Sequence, residues 1–237
     1  MILAAGRGTR LGSLGRRVPK ALVDIGGKPL LARHFSYLEK HGVTQVVINT
    51  HHRAEQVESY AARYRGPMNV VCVREAQLLG TAGAVRNALP YLNSSSFVVL
   101  YGDVLLEEPV DAMMHLHVER RALATIAVFE ADSAEGKGVV EVDGSGFVTG
   151  FSEKGRVGVG RVLINSGVYV IDRALVRPFE QGAFLDFGHD VFPSAVRCLQ
   201  PIYAFRLASP VIDIGTPEGL SRARAQLAEQ SPPNGGL

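Results

Sequence analysis

The chain contains no tryptophan and only two cysteines among its 237 residues. Cys72 and Cys198 lie far apart in apolar surroundings, which argues against a disulfide framework and predicts buried core thiols in a reducing cytoplasm. Neither sign of charge prevails, because 25 lysines and arginines face 23 aspartates and glutamates. Without an overall field, the chain reads as binding neither nucleic acid nor a membrane surface, and its cations act locally. No apolar run approaches the roughly 18 residues of a membrane span, and no signal-peptide pattern precedes the first motif. Met1 leads so abruptly into a glycine loop that the first strand has only about four residues, short even for a strand. That reads as a start placed unusually late, and whether Met1 is the natural start stays open.

Several familiar motifs are missing as well. The P-loop of ATPases needs four residues between its glycines and then Gly-Lys-Ser/Thr, which no segment here supplies. The dinucleotide fingerprint Gly-x-Gly-x-x-Gly fails because position 11 is Leu11 and the next glycine is Gly12. A nicotinamide-dependent oxidoreductase fails on that spacing. His51 with His52, and His115 with His117, have no cysteine or acid at zinc-ligand spacing, so no zinc centre is expected. Ser13, Ser36 and Ser166 lack a nucleophile elbow. No linker rich in Pro, Gly or Ser divides the chain, and no internal repeat appears. The only low-complexity tract is Ser94 to Ser96, so residues 1–237 read as one domain, with 231–237 a frayed tail.

What is present is a 46% hydrophobic chain with ample material for a core. Up to residue 121, short apolar runs alternate with amphipathic segments. Leu30, Leu31, Phe35 and Leu38 recur at helical spacing after Pro29, Val46 to Ile48 is a buried strand, and Ala54 to Tyr64 is helix-like. Asn69 to Val73 and Phe97 to Tyr101 are further strands, with helices from Gly80 to Leu89 and from Pro109 to Arg121. This is the rhythm of a doubly wound α/β sheet, whose ligand crevice lies at the carboxyl ends of the strands. Beyond residue 121 the rhythm changes to antiparallel strands at Leu123–Phe129, Gly138–Val142, Phe147–Phe151 and Arg161–Ile171, with a hairpin turn at Asp143 to Gly146. Leu175 to Leu199 is helical in pieces, Ile202 to Leu207 is a strand, and Thr216 caps a terminal helix that begins with Pro217 and Glu218.

The first strand breaks into Gly6-Arg7-Gly8-Thr9-Arg10, where two glycines let backbone N–H groups approach an anion and two arginines supply charge, so the loop reads as a phosphate cradle. Two aspartates each follow a buried apolar strand. Asp103 follows Leu100 to Gly102, and Asp213 follows Val211 and Ile212. Helix capping is weakened for both, since Thr216 is the better cap and the helix after Asp103 begins near Glu107 to Pro109. Two free carboxylates at strand ends suit a hard divalent cation such as Mg²⁺ that bridges to phosphate oxygens.

The run LAAGRGTRL from Leu3 to Leu11, followed after a basic loop by Pro19 and Lys20, resembles the nucleotidyltransferases that make nucleotide sugars from a sugar 1-phosphate and a nucleoside triphosphate. The resemblance extends to DIGTP at Asp213–Pro217, with the motifs in the family's order and without an appended β-helix. It implies a Rossmann-like, mostly parallel sheet flanked by helices, of the GT-A-like kind, with an antiparallel sugar-binding insertion. Residues 1–121 would mainly bind nucleotide and 122–215 mainly sugar phosphate. It implies Arg10 and Lys20 as catalytic cations on the triphosphate, and Asp103 and Asp213 as Mg²⁺ ligands. Leu3, Ala4, Ala5, Gly6, Gly8, Thr9, Gly80 and Thr81 would receive the nucleotide, with Gln77 a base contact. Gly138, Glu153, Lys154 and Asn165 match sugar-phosphate positions. Arg16 and Arg17 read as solvated, and the loop from Leu11 to Pro19 departs from the family, which places a proline and a threonine there.

LGTAG at Leu79–Gly83 and DFGHDVFP at Asp186–Pro193 look like guanylyltransferases acting on mannose or heptose 1-phosphates, whereas INTHH at Ile48–His52 looks more like uridylyltransferases. The reading leans to GTP. A uridylyl- or thymidylyltransferase, or a catalytically inactive nucleotide-sugar sensor, stays as the alternative. The oligomeric state is open, with a homodimer as one option.

Overall fold

A computed structural model describes residues 1–134, 136–153 and 160–230, so Lys154 and the 231–237 tail lie outside the described residues. Strand β1 (Ile2–Leu3) leads through a 3₁₀ turn at Thr9–Leu11 to helix α1 (Ser13–Arg17) and a second 3₁₀ turn at Lys20–Leu22. There follow β2 (Asp24–Ile25), β3 (Lys28–Pro29), α2 (Leu30–Lys40), β4 (Gln45–Thr50), α3 (Ala54–Ala61), β5 (Asn69–Arg74) and α4 (Gly80–Ala88). Next come β6 (Ser96–Tyr101), β7 (Val104–Leu105) and α5 (Asp111–Glu119), then the strand-rich run β8 (Ala124–Ala131), β9 (Val139–Val142), β10 (Val148–Ser152) and β11 (Val162–Asp172). The chain closes with α6 (Arg173–Val176), a π turn at Phe187–Val191, α7 (Phe192–Arg197), β12 (Ile202–Arg206), β13 (Ile212–Asp213) and α8 (Pro217–Gln230).

One nine-stranded mixed sheet carries both halves. Strands β5, β4, β1 and β6 run parallel to their neighbours in that order, and β11 joins β6 antiparallel, followed by β8 and β12. The start of β11 also pairs with β9, which continues into β10. Residues 46–50 of β4 are buried without alternation because helices cover both faces of the parallel region. On one face the apolar stripe of α2, with Leu31, Phe35 and Leu38, packs with Val57 and Met113 against Ile2, Ile48 and Leu100. On the other face Tyr169, Phe187 and Phe192 form a ring cluster with α4 and the antiparallel strands.

The α/β rhythm and the switch to antiparallel pairing appear as the sequence predicts. Asp143 makes the hairpin turn by accepting from the Ser145 and Phe147 amides at 2.8 and 3.0 Å, and Thr216 caps the last helix through the Gly219 amide at 3.1 Å. Other expectations need correction. The basic loop after Leu11 is one helical turn, α1, and the helix after Asp103 begins at Asp111. Two short ribbons, β2 with β3 and β7 with β13, have no signal in the sequence because two-residue strands carry no periodicity.

Candidate active site

The parallel strands β1, β4 and β6 end side by side, with Leu3 paired to Asn49 on one flank and to Tyr101 on the other. A cavity of about 250 Å³ opens beyond those ends, where an open α/β sheet places ligands. Its lining includes Leu3, Ala4, Ala5, Gly6, Lys20, Asn49, Glu75, Leu78, Gly80, Thr81, Tyr101, Asp103, Phe184 and Asp186. The glycine loop turns at Gly8, whose φ of +66° favours glycine and whose carbonyl packs under Gly15. Gly6 differs, because a Cβ there would meet nothing within 4 Å. Packing therefore does not require glycine at position 6, and the open space above its backbone is available to an anion.

The carboxylates and cations meet through the β7–β13 ribbon. Asp213 pairs in register with Val104, and the Ile214 amide donates to the Asp103 carbonyl at 2.8 Å, so two residues distant in sequence flank one point. Buried His34 supports this ribbon, with Nε2 at 2.8 Å from the Val104 carbonyl. Lys20 Nζ donates to Asp103 Oδ2 at 2.7 Å. Arg10 bridges the two acids, with Nη2 at 3.9 Å from Asp103 Oδ2 and Nη1 at 3.5 Å from Asp213 Oδ2. All three side chains crowd against Gly215, since a Cβ on it would lie 2.7 Å from Asp213 Oδ1, 2.8 Å from Arg10 and 3.0 Å from Asp103 Oδ2. Two carboxylates that meet at Gly215 make an oxygen donor set suited to a hard divalent cation.

Deeper in the cavity, Asn49 Oδ1 accepts from the Ala4 amide at 2.8 Å, and its Nδ2 donates to Glu75 Oε1 at 2.8 Å. Glu75 Oε2 accepts from the Leu79 amide at 3.2 Å. Burial raises the Glu75 carboxyl above the usual range, against the lowering effect of these two hydrogen bonds. Gly80 takes a positive φ of +74°, and the Leu185 backbone fills the place where its Cβ would go.

At the other end, Gly138, Asn165 and Glu153 come together, since a Cβ on Gly138 would lie 3.3 Å from both Asn165 Cβ and Glu153 Oε2. The register shift in β11 between Asn165 and Tyr169 forms a bulge in which Asn165 Oδ1 accepts from the Gly167 amide at 3.1 Å. Asn165 Nδ2 donates to the Tyr169 hydroxyl at 2.9 Å, and that hydroxyl donates to Tyr101 at 3.2 Å, linking this end to the first cavity. Asp186 accepts from the Thr81 hydroxyl at 2.9 Å and from the Gly188 amide at 2.9 Å. Glu153, Asp186 and His189 offer ligand atoms within 4.8 Å of one another. The Glu153 carboxyl is held above its usual range, chiefly by burial and secondarily by the charge of Asp186.

Eight of the residues picked from the sequence line the cavity: Leu3, Ala4, Ala5, Gly6, Lys20, Gly80, Thr81 and Asp103. Arg10 and Asp213 sit beside it through their ion pairs. Gly8 and Thr9 belong to the turn and not to the lining, and Gln77 is exposed while Glu75, two positions earlier, faces the cavity. Asn49, Glu75, Tyr101 and Asp186 were missed. Each looks in sequence like an ordinary strand or capping residue. Two of the histidines have structural partners, His51 at 3.0 Å from the Glu75 carbonyl and His117 at 3.0 Å from Thr125. No described helix is long and apolar enough to cross a membrane.

A family model described as nucleotidyl transferase matches residues 1–230. The chain is 31% identical to D-glycero-alpha-D-manno-heptose 1-phosphate guanylyltransferase of Aneurinibacillus thermoaerophilus, covering 96% of this chain and 97% of that one. It is 32% identical to UTP–glucose-1-phosphate uridylyltransferase of Synechocystis, over 91% of this chain but only 59% of that longer protein. In structure it is similar to HddC from Yersinia pseudotuberculosis complexed with GMP-PN, with a TM-score of 0.82, 31% identity and coverage of 95% of this chain and 97% of that one.

Proposed function

The chain belongs to the nucleotidyl transferase family, and from that premise we propose that it moves a nucleotidyl group from GTP to a mannose- or heptose-type sugar 1-phosphate, releasing pyrophosphate. The observation that carries this reading is the meeting of Arg10, Lys20, Asp103 and Asp213 in one ion-pair cluster beside the cavity. The reaction forms a bond from a sugar-phosphate oxygen to the α-phosphorus and breaks the α–β phosphoanhydride, so negative charge grows on the departing pyrophosphate. Lys20 and Arg10 now rest on carboxylates, and a bound triphosphate offers them oxygens of higher charge. Asp103 and Asp213 would hold Mg²⁺, which when bound supplies charge neutralisation at the phosphates. Glu153, Asn165 and Gly138 would receive the sugar hydroxyls, with Lys154 on its phosphate by family resemblance.

Glu75 supports guanine over uracil. Guanine presents two adjacent donors, N1–H and N2–H, which a carboxylate accepts together, whereas uracil flanks its one donor with two carbonyls that a carboxylate repels. Each Glu75 oxygen accepts one protein hydrogen bond and retains a free lone pair.

The test is pyrophosphate release from each nucleoside triphosphate against a panel of sugar 1-phosphates with Mg²⁺. GTP with a mannose- or heptose-type phosphate is the expected pair; a preference for UTP with glucose 1-phosphate would overturn the guanine assignment, and no release with any pair would overturn the reaction. Glu75→Gln should lower kcat/KM for GTP about 10- to 100-fold while UTP loses less.

A further inference from the structure

Four large apolar side chains stand exposed among the described residues, Tyr91, Val118, Phe184 and Leu199, and of these Phe184 lines the cavity. Its exposure of 68% is the cost of a tightly specified backbone. The Leu185 amide donates to the Leu79 carbonyl at 2.9 Å, and the Leu185 carbonyl accepts from the Ala82 and Gly83 amides, both at 3.0 Å. Thr81 fastens the next residues, accepting from the Phe187 amide at 2.8 Å and donating to Asp186. Gly80 and Gly83 admit this close approach, because a Cβ on either would occupy space held by the Leu185 or Ala183 backbone. Phe184 therefore stands at a rigid site on the wall, not on a free loop. Its ring adds a planar face to a lining to which Leu3, Ala4, Ala5 and Leu78 also contribute apolar surface.

A planar ring left in water at the edge of an apolar slot is matched by a planar ligand, since stacking buries two apolar faces and needs no hydrogen-bond pattern. We propose that Phe184 stacks on the nucleobase of the bound triphosphate and adds to the preference for a purine, whose two fused rings cover more of the phenyl face than a pyrimidine does. This rests on the reading that the cavity takes a guanine nucleotide. Glu75 reads the base edge and Phe184 its face, so the two contacts are independent.

Because the chain has no tryptophan, a direct probe is possible. In Phe184→Trp the single indole reports on position 184 alone, and a purine stacked on it quenches its emission. With Mg²⁺ and no sugar phosphate, GTP should quench this emission along the same saturation curve that calorimetry gives for binding, while a sugar 1-phosphate alone should leave it unchanged. Phe184→Ala should weaken GTP binding roughly 5- to 150-fold, weaken UTP binding less, and leave melting and the sugar-phosphate KM nearly unchanged. Calorimetric binding of GTP with unmoved emission, or quenching by the sugar phosphate and not by GTP, would overturn the stacking while leaving the nucleotide reading intact. No GTP binding by the unaltered protein would overturn both.

Discussion

The two ends of the site handle negative charge in opposite ways. At one end Asp103 and Asp213 have cations within ion-pair distance, Lys20 at 2.7 Å and Arg10 at 3.5 to 3.9 Å. At the other end Glu153 and Asp186 lie close together with no lysine or arginine ion pair among the described residues, and Asp186 is satisfied by a hydroxyl and backbone amides. Glu153 is correspondingly pushed toward its neutral form. The first arrangement stores charge that a metal and a triphosphate can rearrange. The second offers carboxylate oxygens held by hydroxyl and amide donors, which suit the hydroxyl groups of a sugar. The difference also follows the fold, because the cationic end grows from loops at the carboxyl edge of the parallel strands and the acceptor end from the bulged antiparallel strands.

The strongest way to break this contrast is to remove charge at the first end. Asp103→Asn and Asp213→Asn should each reduce turnover about a thousandfold or more, and adding chelator to the unaltered protein should do the same. Full activity in chelator would sink the metal assignment. Lys20→Ala should cost about a hundredfold in kcat and weaken triphosphate binding as well, because its charge is used most as pyrophosphate departs. Steady-state kinetics against both substrates would check this, and a change confined to the sugar-phosphate KM would reverse the orientation drawn across the site.

At the second end Glu153→Gln should raise the sugar-phosphate KM about tenfold and leave GTP binding nearly unchanged. The smallest effect is on stability, and it should differ in sign between the ends. A carboxyl raised in the folded state stabilises fully below its unfolded value and loses that contribution as pH rises through the folded value. Glu153→Gln should thus match the unaltered protein near pH 4 and melt slightly higher at pH 8. Asp103→Asn should melt lower at pH 8, by a few degrees at about 2–4 °C per kcal/mol, because it weakens the short pair with Lys20. Parallel melting curves for the two variants would erase the contrast.

Much of this was legible because it is local. The glycine loop, the helical stripe from Leu30 to Leu38 and the Asp143 turn are each written in a few neighbouring residues with a fixed period or spacing. Asp103 and Asp213 were legible as strand-end acids, but nothing near either one indicates the other. Asn49, Glu75 and Asp186 were illegible because their roles depend on which backbone passes beside them: Ala4 for Asn49, Leu79 for Glu75, and Thr81 for Asp186.

Local patterns in the chain specify the α/β alternation, the change to antiparallel strands after residue 121, and the chemical types available for a phosphate site. Periodicity and turn chemistry act over a few residues, so no distant partner is needed to specify them. Long-range packing set Asp213 beside Asp103, turned Glu75 to the cavity and Gln77 to the solvent, and put Phe184 in the cavity lining. Those outcomes depend on the pairing of two-residue strands and on close contacts at Gly80, Gly83 and Gly215, where long-range packing sets the position and no local pattern records it.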